Sequence, residues 1–208
     1  MTRLQPSMNS DMKNEAVPAA VVPEWPIEGF VAKLRSIPES TFSGTQHILE
    51  FLAQHPVNAA TLKPYLFWDR QHYTRNLIDK TPLYELIAVC WESGQMSSVH
   101  NHQDQNCWMA VPMGRLMVQN YRVMHQDLNA GTCRIEKTSR VEMSVQHPQV
   151  VDPEAPVHCV LNPRQFKQRA VSLHVYSRPY DTCLVYSEEK QTCGKIGLSY
   201  TSVAGSLR

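Results

Sequence analysis

The sequence lacks the signals of a membrane, secreted or nucleic-acid-binding protein. No apolar run approaches the roughly 20 residues that a transmembrane helix needs, and no basic, apolar, small-residue leader opens the chain. Charge is nearly balanced, with 20 Lys and Arg against 19 Asp and Glu, so electrostatics favours neither nucleic acid nor an anionic membrane. We therefore expect a soluble protein whose partner is a small molecule. We also expect a monomer, an expectation that none of these signals bears on.

The six cysteines form no C-x-x-C pair, the spacing typical of zinc and redox sites. An even number of cysteines is compatible with three disulfides, but a chain of 208 residues is large enough to fold without such cross-links. A reduced, cytoplasmic location fits best. The same length accommodates one domain with a sizeable core.

The chain divides into a tail, a helical region and a strand-rich region. Residues 1–26 mix Pro, Ser, Asn and charge without apolar periodicity, which predicts a flexible tail. Residues 27–208 are expected to form a single domain, helical over 27–69 and a β-barrel over 70–208. Within the helical part, the spacing of Ile27, Phe30, Val31 and Leu34 is that of an amphipathic helix.

Further helices are expected around Ile48–Leu52 and from Asn58 to about Leu66, with Asn58 as the N-cap. Short runs of Val, Ile, Leu, Tyr and Trp, separated by turn residues, predict strands in the rest. The expected strands are Tyr73–Asp79, Tyr84–Trp91, Met96–His102, Asn106–Pro112, Arg115–Val123, Thr132–Glu136, Val141–Val145, Val157–Asn162, Ala170–Tyr176, Thr182–Tyr186 and Gly194–Thr201. So many short strands predict a mainly β barrel or sandwich.

Two histidines one residue apart, His100 and His102, stand between Gly94 and Gly114. Because strand side chains alternate with a period of two, a His-x-His pair on a strand projects both imidazoles to one face. The pair therefore predicts half of a metal site, although a polar strand face also carries such pairs by chance. Cys107 follows at a spacing where many metal sites of this pattern carry a carboxylate.

His158 is the best candidate for a third ligand. It lies between Pro153 and Asn162, with Ala155 two residues after the proline. The two patterns, in this order, resemble the two motifs of the cupin superfamily, G-(x5)-H-x-H-(x3–4)-E-(x6)-G and P-x-G-(x2)-H-(x3)-N. Cys107 replaces the glutamate and Ala155 replaces a glycine. The resemblance implies that the two motifs lie on neighbouring strands.

Three imidazoles suit zinc, iron, copper or nickel, and the ligand types alone do not choose among these metals. Neutral ligands leave the metal its full positive charge, which favours an anionic ligand such as a thiolate at an open position. The remaining histidines are in helices, in loops or at positions outside any recognisable motif, and they are expected to be surface or hydrogen-bonded residues. They are His47, His55, His72, His125 and His147.

Within the cupins, the chain resembles the cysteine dioxygenases, specifically the bacterial-like arginine-type thiol dioxygenases. The similar segments cover roughly half the chain: Tyr73-Thr74-Arg75-Asn76, Cys90-Trp91, Ser97 to His102, Asn106-Cys107, Ala170 to Ser177 and Asp181-Thr182-Cys183. The resemblance implies a small cupin (jelly-roll) β-barrel behind a helical region. It also implies one Fe(II) held by His100, His102 and His158, and oxidation of L-cysteine by O₂ to cysteine sulfinic acid.

Tyr73 and Arg75 are two residues apart, so both are expected on one strand face. A guanidinium matches a carboxylate bidentately, as an amino-acid substrate requires, although an isolated strand arginine is more often solvated. The position of both residues just before the cupin motif favours substrate binding. Cys183 is expected at the pocket mouth or in a structural role.

Ser172, His174 and Tyr176 alternate with apolar residues, so one face of their strand is polar. This face fits a half-exposed strand, whereas the resemblance implies a hydrogen-bonded relay that lines the metal cavity and presents the Tyr176 hydroxyl to substrate. Cys107 fits a buried small hydrophobe. The resemblance implies instead a thioether between Cys107 and Tyr176.

The turn after Tyr176 departs from the vertebrate-type pattern. That pattern is Ser-Pro-Pro with a cis peptide, and this chain reads Ser177-Arg178-Pro179. A cis Ser–Arg bond costs about 2.5–4 kcal/mol, so the sequence leaves both conformations open. Other functions considered are oxidation of another small thiol such as 3-mercaptopropionate, a non-catalytic metal-binding cupin, and a zinc-dependent cupin isomerase.

Overall fold

The computed structural model describes residues 22–145 and 147–208. Of the predicted flexible tail, residues 1–21 therefore lie outside the described part of the chain. Just before the first helix, the Trp25 amide donates a hydrogen bond to the carbonyl of Pro56, and the Asn58 amide donates one to the carbonyl of Trp25. The last residues before Ile27 are thus attached to the helical region.

The N-terminal part is helical, as predicted. It contains α1 (Ile27–Arg35) and α2 (Gln46–Gln54), together with 3₁₀ helices at Glu39–Ser43 and Ala59–Tyr65. The buried face of α1 has the predicted helical spacing. The Asn58 side chain accepts a hydrogen bond from the Ala60 amide at 2.9 Å, which is the predicted N-cap. Within the described residues, no helix is long and apolar enough to span a membrane.

The rest of the described chain forms thirteen strands and one further 3₁₀ helix, Arg164–Phe166. The strands are β1 (Thr74–Lys80), β2 (Glu85–Trp91), β3 (Val99–His100), β4 (Asn106–Met113), β5 (Leu116–Asp127), β6 (Thr132–Met143), β7 (Gln149–Val150), β8 (His158–Leu161), β9 (Ala170–Ser177), β10 (Thr182–Ser187), β11 (Thr192–Gly197), β12 (Ser202–Val203) and β13 (Ser206–Leu207).

The strands form two sheets, which confirms the mainly β prediction. Seven strands form one sheet in the order β13-β12-β1-β2-β9-β4-β7. The other six follow the order β10-β11-β6-β5-β8-β3, and this group closes because β3 also pairs with β10. Every neighbouring pair is antiparallel except β1 and β12.

Alternate residues of the seven-stranded sheet enter two different cores. Val171, Leu173 and Val175 of β9 pack with buried residues of the helices, including Phe30 and Leu52. The opposite face packs in a second core that includes residues of both sheets, among them Trp91, Cys107, Val118 and Val160. The helical region thus covers the outer face of this sheet, and the inner face is turned toward the six-stranded group.

Several predicted strand boundaries are wrong. The strand predicted over Met96–His102 is regular only at Val99–His100, because only these two residues pair continuously with β10. Conversely, β6 continues through the polar residues 137–140, where the sequence predicted a break. The backbone of β6 pairs with β5 there, and this pairing needs no apolar side chains.

The Ser177–Arg178 peptide bond, whose conformation the sequence left open, is cis.

The glycines and the asparagine of the two cupin motifs connect the strands that hold the histidines. Gly114 has φ +79°, and a Cβ there would lie 2.5 Å from the Arg169 carbonyl oxygen, so only glycine fits. The Gly94 amide donates to the carbonyl of Asn162 at 2.7 Å, and the Asn162 amide donates to the carbonyl of Gln95. These bonds hold the end of the second motif against the start of the first.

Candidate metal centre

Three histidines converge between β3 and β8. His100 ends β3, His102 follows two residues later, and His158 begins β8 directly opposite His100. One candidate ligand atom from each residue lies within 4.8 Å of the others. The described residues contain no second cluster of this kind. The structure therefore brings together the residues that the sequence predicted as metal ligands.

The chemical state of the three imidazoles suits a metal ion. Neither ring nitrogen of His102 or His158 has a hydrogen-bond partner among the described residues, although both side chains are buried. His100 donates from Nδ1 to the Ser98 carbonyl oxygen at 2.9 Å, which leaves its Nε2 available. Burial lowers the pKa of His100 to about 4, and it lowers the pKa values of His102 and His158 well below their usual range. All three are therefore neutral, the form of histidine that ligates metals.

Arg75 presents an unused edge of its guanidinium near the histidines. It is part of β1, and it lines a cavity together with Tyr73 and His100. Its Nε and Nη2 atoms are buried and have no hydrogen-bond partner in the described chain. These two nitrogens form the edge of the guanidinium that can bind a carboxylate bidentately. The Tyr73 ring is held in place by stacking on Trp91, with ring centroids 4.7 Å apart.

Glu85 is the nearest internal counter-charge to Arg75, and the sequence analysis did not identify it. It is fully buried, and its Oε1 lies 3.9 Å from Arg75 Nη2, beyond hydrogen-bond range. Its Oε2 accepts a hydrogen bond from the Tyr200 hydroxyl and lies 3.6 Å from Lys80 Nζ. In sequence, Glu85 is a single charge at the start of an apolar run. Glu85 therefore balances the arginine charge without a hydrogen bond to Nη2, which keeps its hydrogen for a ligand.

The polar face of β9 forms a continuous chain of hydrogen bonds. Trp91 Nε1 donates to Ser172 Oγ at 2.9 Å, and Ser172 Oγ lies 2.8 Å from His174 Nε2. His174 Nδ1 is 3.0 Å from the Tyr176 hydroxyl. Burial, together with the positive charge of Arg75, lowers the pKa of His174 to about 3, so this imidazole is neutral. The chain therefore orients Tyr176, and only its first member, Trp91, had no predicted role.

Cys107 and Tyr176 are direct partners across β4 and β9, and both are buried. Burial raises the pKa of the Cys107 thiol, although a side-chain hydrogen bond with Tyr176 opposes this shift. Burial also raises the pKa of Tyr176 well above its usual value, and Cys107 adds to the effect. Both groups are therefore protonated and in contact. The Tyr176 ring lies 5.6 Å from the His102 ring, so the pair borders the histidine cluster.

One cavity is lined by four of the ten predicted site residues. Its walls include Tyr73, Arg75, His100 and Cys183. Tyr180 also lines the cavity, and the sequence analysis assigned it no role. The arrangement combines three neutral metal ligands with a cation that can receive a carboxylate. Such a site suits a small anionic substrate that approaches a metal ion.

Comparison with known proteins agrees with this chemistry. The family model of cysteine dioxygenase type I matches residues 19–189. Cysteine dioxygenase type 1 from Rattus norvegicus is 29% identical over 161 residues, which is 77% of this chain and 76% of the rat protein. The Homo sapiens protein of the same name gives the same identity and coverage.

A solved structure from Klebsiella pneumoniae, described as an uncharacterized conserved protein with a double-stranded beta-helix domain, aligns with a TM-score of 0.40. It is 14% identical and covers 56% of this chain and 80% of that one. The family match extends over most of the chain and includes the three histidines, Arg75 and the Cys107–Tyr176 pair. The chain belongs to the cysteine dioxygenase type I family.

Proposed function

We propose that this protein is a mononuclear non-haem Fe(II) thiol dioxygenase of the bacterial-like arginine type, which oxidises L-cysteine with O₂ to cysteine sulfinic acid. The observation that carries the proposal is the shared cavity of His100 and Arg75. There the three-histidine cluster meets a buried guanidinium edge that has no partner among the described residues. The two named relatives are both cysteine dioxygenases.

In this proposal His100, His102 and His158 hold the metal. The unpaired, neutral ring nitrogens of His102 and His158 would gain ligand bonds in place of the hydrogen bonds they lack, and His100 would bind through Nε2. Iron is favoured over zinc because zinc has no redox chemistry, which a dioxygenase needs. A bound Fe(II) would supply that chemistry and would bring the thiolate and O₂ into one coordination sphere.

Arg75 and Tyr73 bind the substrate carboxylate. The Nε and Nη2 atoms of Arg75 would donate two parallel hydrogen bonds, which fixes the direction of the amino acid relative to the histidines. Although burial alone would lower the pKa of Arg75, the neighbouring Tyr176, Tyr180 and Glu85 raise it. The guanidinium therefore keeps its charge in the buried cavity. Cys183 would shape the pocket mouth.

Ser172, His174 and Tyr176 act as a positioning relay. If the Ser172 hydroxyl donates to His174 Nε2, then His174 Nδ1 donates to the Tyr176 oxygen. The Tyr176 proton is then free to point toward the bound substrate. The Trp91 donor favours this direction because it occupies one acceptor site of Ser172.

Oxygen uptake by the full chain tests the proposed function. Protein loaded with Fe(II) under anaerobic conditions should consume one O₂ per L-cysteine after air is admitted, and mass spectrometry should detect a product heavier by two oxygen atoms. 3-Mercaptopropionate, which has a carboxylate but no amine, should be a poorer substrate. Zinc-loaded protein is the matched inactive control. If the iron-loaded protein consumes no oxygen with either thiol, the proposal is wrong.

The Cys107–Tyr176 pair is expected to form a thioether during turnover. A bond from Sγ to the ring carbon beside the hydroxyl removes one hydrogen from each residue, and O₂ takes up both hydrogens with their electrons. After incubation with Fe(II), O₂ and L-cysteine, intact mass should show a population lighter by two hydrogens. Cys107→Ser should abolish this population and Cys183→Ser should keep it. Persistence of the mass loss in Cys107→Ser would contradict the assignment.

We further propose that residues 27–208 form one cytoplasmic, monomeric domain. The shared core of the helices and the seven-stranded sheet supports the single domain. All six cysteines are free thiols, which suits a reducing compartment.

A further inference from the structure

Tyr180 is a phenol in the cavity for which the proposed function has no role. It lies in the loop between β9 and β10, and its ring contacts Tyr176 edge-on, with centroids 5.1 Å apart and planes at 82°. Its centroid is 6.2 Å from that of His102. The residue lines the same cavity as Arg75, and it is one of the groups that raise the pKa of that guanidinium. Tyr180 thus lies near both a candidate metal ligand and the carboxylate-binding arginine.

The Tyr180 hydroxyl lacks the partner that a phenol in such a place normally has. The hydroxyl of Tyr176 pairs with His174 and that of Tyr200 pairs with Glu85. The Tyr180 hydroxyl makes no hydrogen bond within residues 22–145 and 147–208, although its side chain is partly buried. Burial raises the pKa of Tyr180 well above its usual value, so the group remains a donor. The hydroxyl is therefore available to donate to a ligand bound in the cavity.

The hydrogen-bonding capacity of a carboxylate identifies the ligand group. An ionised carboxylate offers about four acceptor positions. The Nε–Nη2 edge of Arg75 fills two of them, and the Tyr73 hydroxyl fills a third. One position remains, and Tyr180, which lines the same cavity as Arg75, is available to fill it.

We propose that Tyr180 is a further substrate-binding residue, whose hydroxyl donates the fourth hydrogen bond to the substrate carboxylate. The inference rests on the proposed function, in which Arg75 receives that carboxylate. Tyr180 therefore contributes to selectivity for thiols that carry a carboxylate over thiols that do not. It acts on binding, because the carboxylate is remote from the sulfur that reacts.

Steady-state kinetics of iron-loaded Tyr180→Phe tests the assignment. A hydrogen bond to a charged group contributes enough that its loss should raise KM for L-cysteine and 3-mercaptopropionate about tenfold, with kcat within about twofold of the wild type. Cysteamine has no carboxylate, so its KM should not change. If cysteamine is not oxidised, its inhibition constant against L-cysteine serves instead. Tyr186→Phe is the matched control, because that hydroxyl bonds Gln126.

The outcomes separate this inference from the proposed function. An unchanged KM for L-cysteine, an equal rise for cysteamine, or a fall in kcat alone would show that Tyr180 does not bind the carboxylate. In each of these cases the wild type would still be a thiol dioxygenase. Absence of oxygen uptake by the wild type would overturn the proposed function and this assignment together.

Discussion

The His158→Ala protein is expected to bind Fe(II) at least about 100-fold more weakly than the wild type and to oxidise L-cysteine no faster than a protein-free control. Loss of a residue that merely orients a metal ligand already lowers metal affinity or activity about 10–100-fold, and loss of the ligand itself should exceed this. His158 is buried directly opposite His100, and the described residues offer no fourth candidate ligand in this cluster.

Metal content and thermal unfolding measure this effect together. Fe(II) added anaerobically should raise the unfolding temperature of the wild type, because a ligand that binds only the folded state stabilises it. The same addition should leave His158→Ala unchanged. His125→Ala is the matched control, since His125 is an exposed residue of β5. A His158→Ala protein that retains one iron per chain and normal turnover would exclude His158 as a ligand.

The histidine cluster could be predicted from sequence, although the local reason was only partly right. The prediction placed His100 and His102 on one regular strand, where alternation aligns them. In the structure β3 ends at His100, and His102 lies beyond it, just before two residues with positive φ, Gln103 and Asp104. The rings meet at 88° with centroids 5.2 Å apart. The spacing of the motif residues therefore predicted that the histidines lie together, although His100 and His102 do not share a regular strand.

The residues that the sequence did not reveal are those whose role comes from distant contacts. Glu85 and Tyr200 are 115 positions apart, and their hydrogen bond depends on how the C-terminal strands pair with β1. Trp91 reaches Ser172 across the β2–β9 ladder. Neither contact leaves a periodic signal in the chain. In contrast, Ser172, His174 and Tyr176 share one strand, so their alternation predicted a common face.

The Arg75→Ala protein is expected to show a rise of about 30-fold or more in KM for L-cysteine and for 3-mercaptopropionate. Loss of one partner of a buried, hydrogen-bonded charge pair costs about 2–5 kcal/mol, which corresponds to such a factor. Cysteamine has no carboxylate and therefore makes no bond with Arg75 that the substitution could remove, so its KM should change little. Equal effects on all three thiols would contradict the assignment of Arg75 to the carboxylate.

Glu85 makes the simple alanine variant ambiguous, because removal of Arg75 takes away one of the two cations near this buried carboxylate and leaves only Lys80. That loss could disturb the fold near the site and raise every KM. The double variant Arg75→Ala/Glu85→Gln removes the charge of Glu85 together with that of Arg75 and keeps an acceptor for the Tyr200 hydroxyl. If Arg75 binds the carboxylate, the double variant should retain the selective loss of L-cysteine binding. Arg75→Lys keeps the positive charge but lacks the edge formed by two nitrogens. A KM between those of the wild type and Arg75→Ala would show that the charge supplies part of the binding energy and the bidentate hydrogen bonds supply the rest.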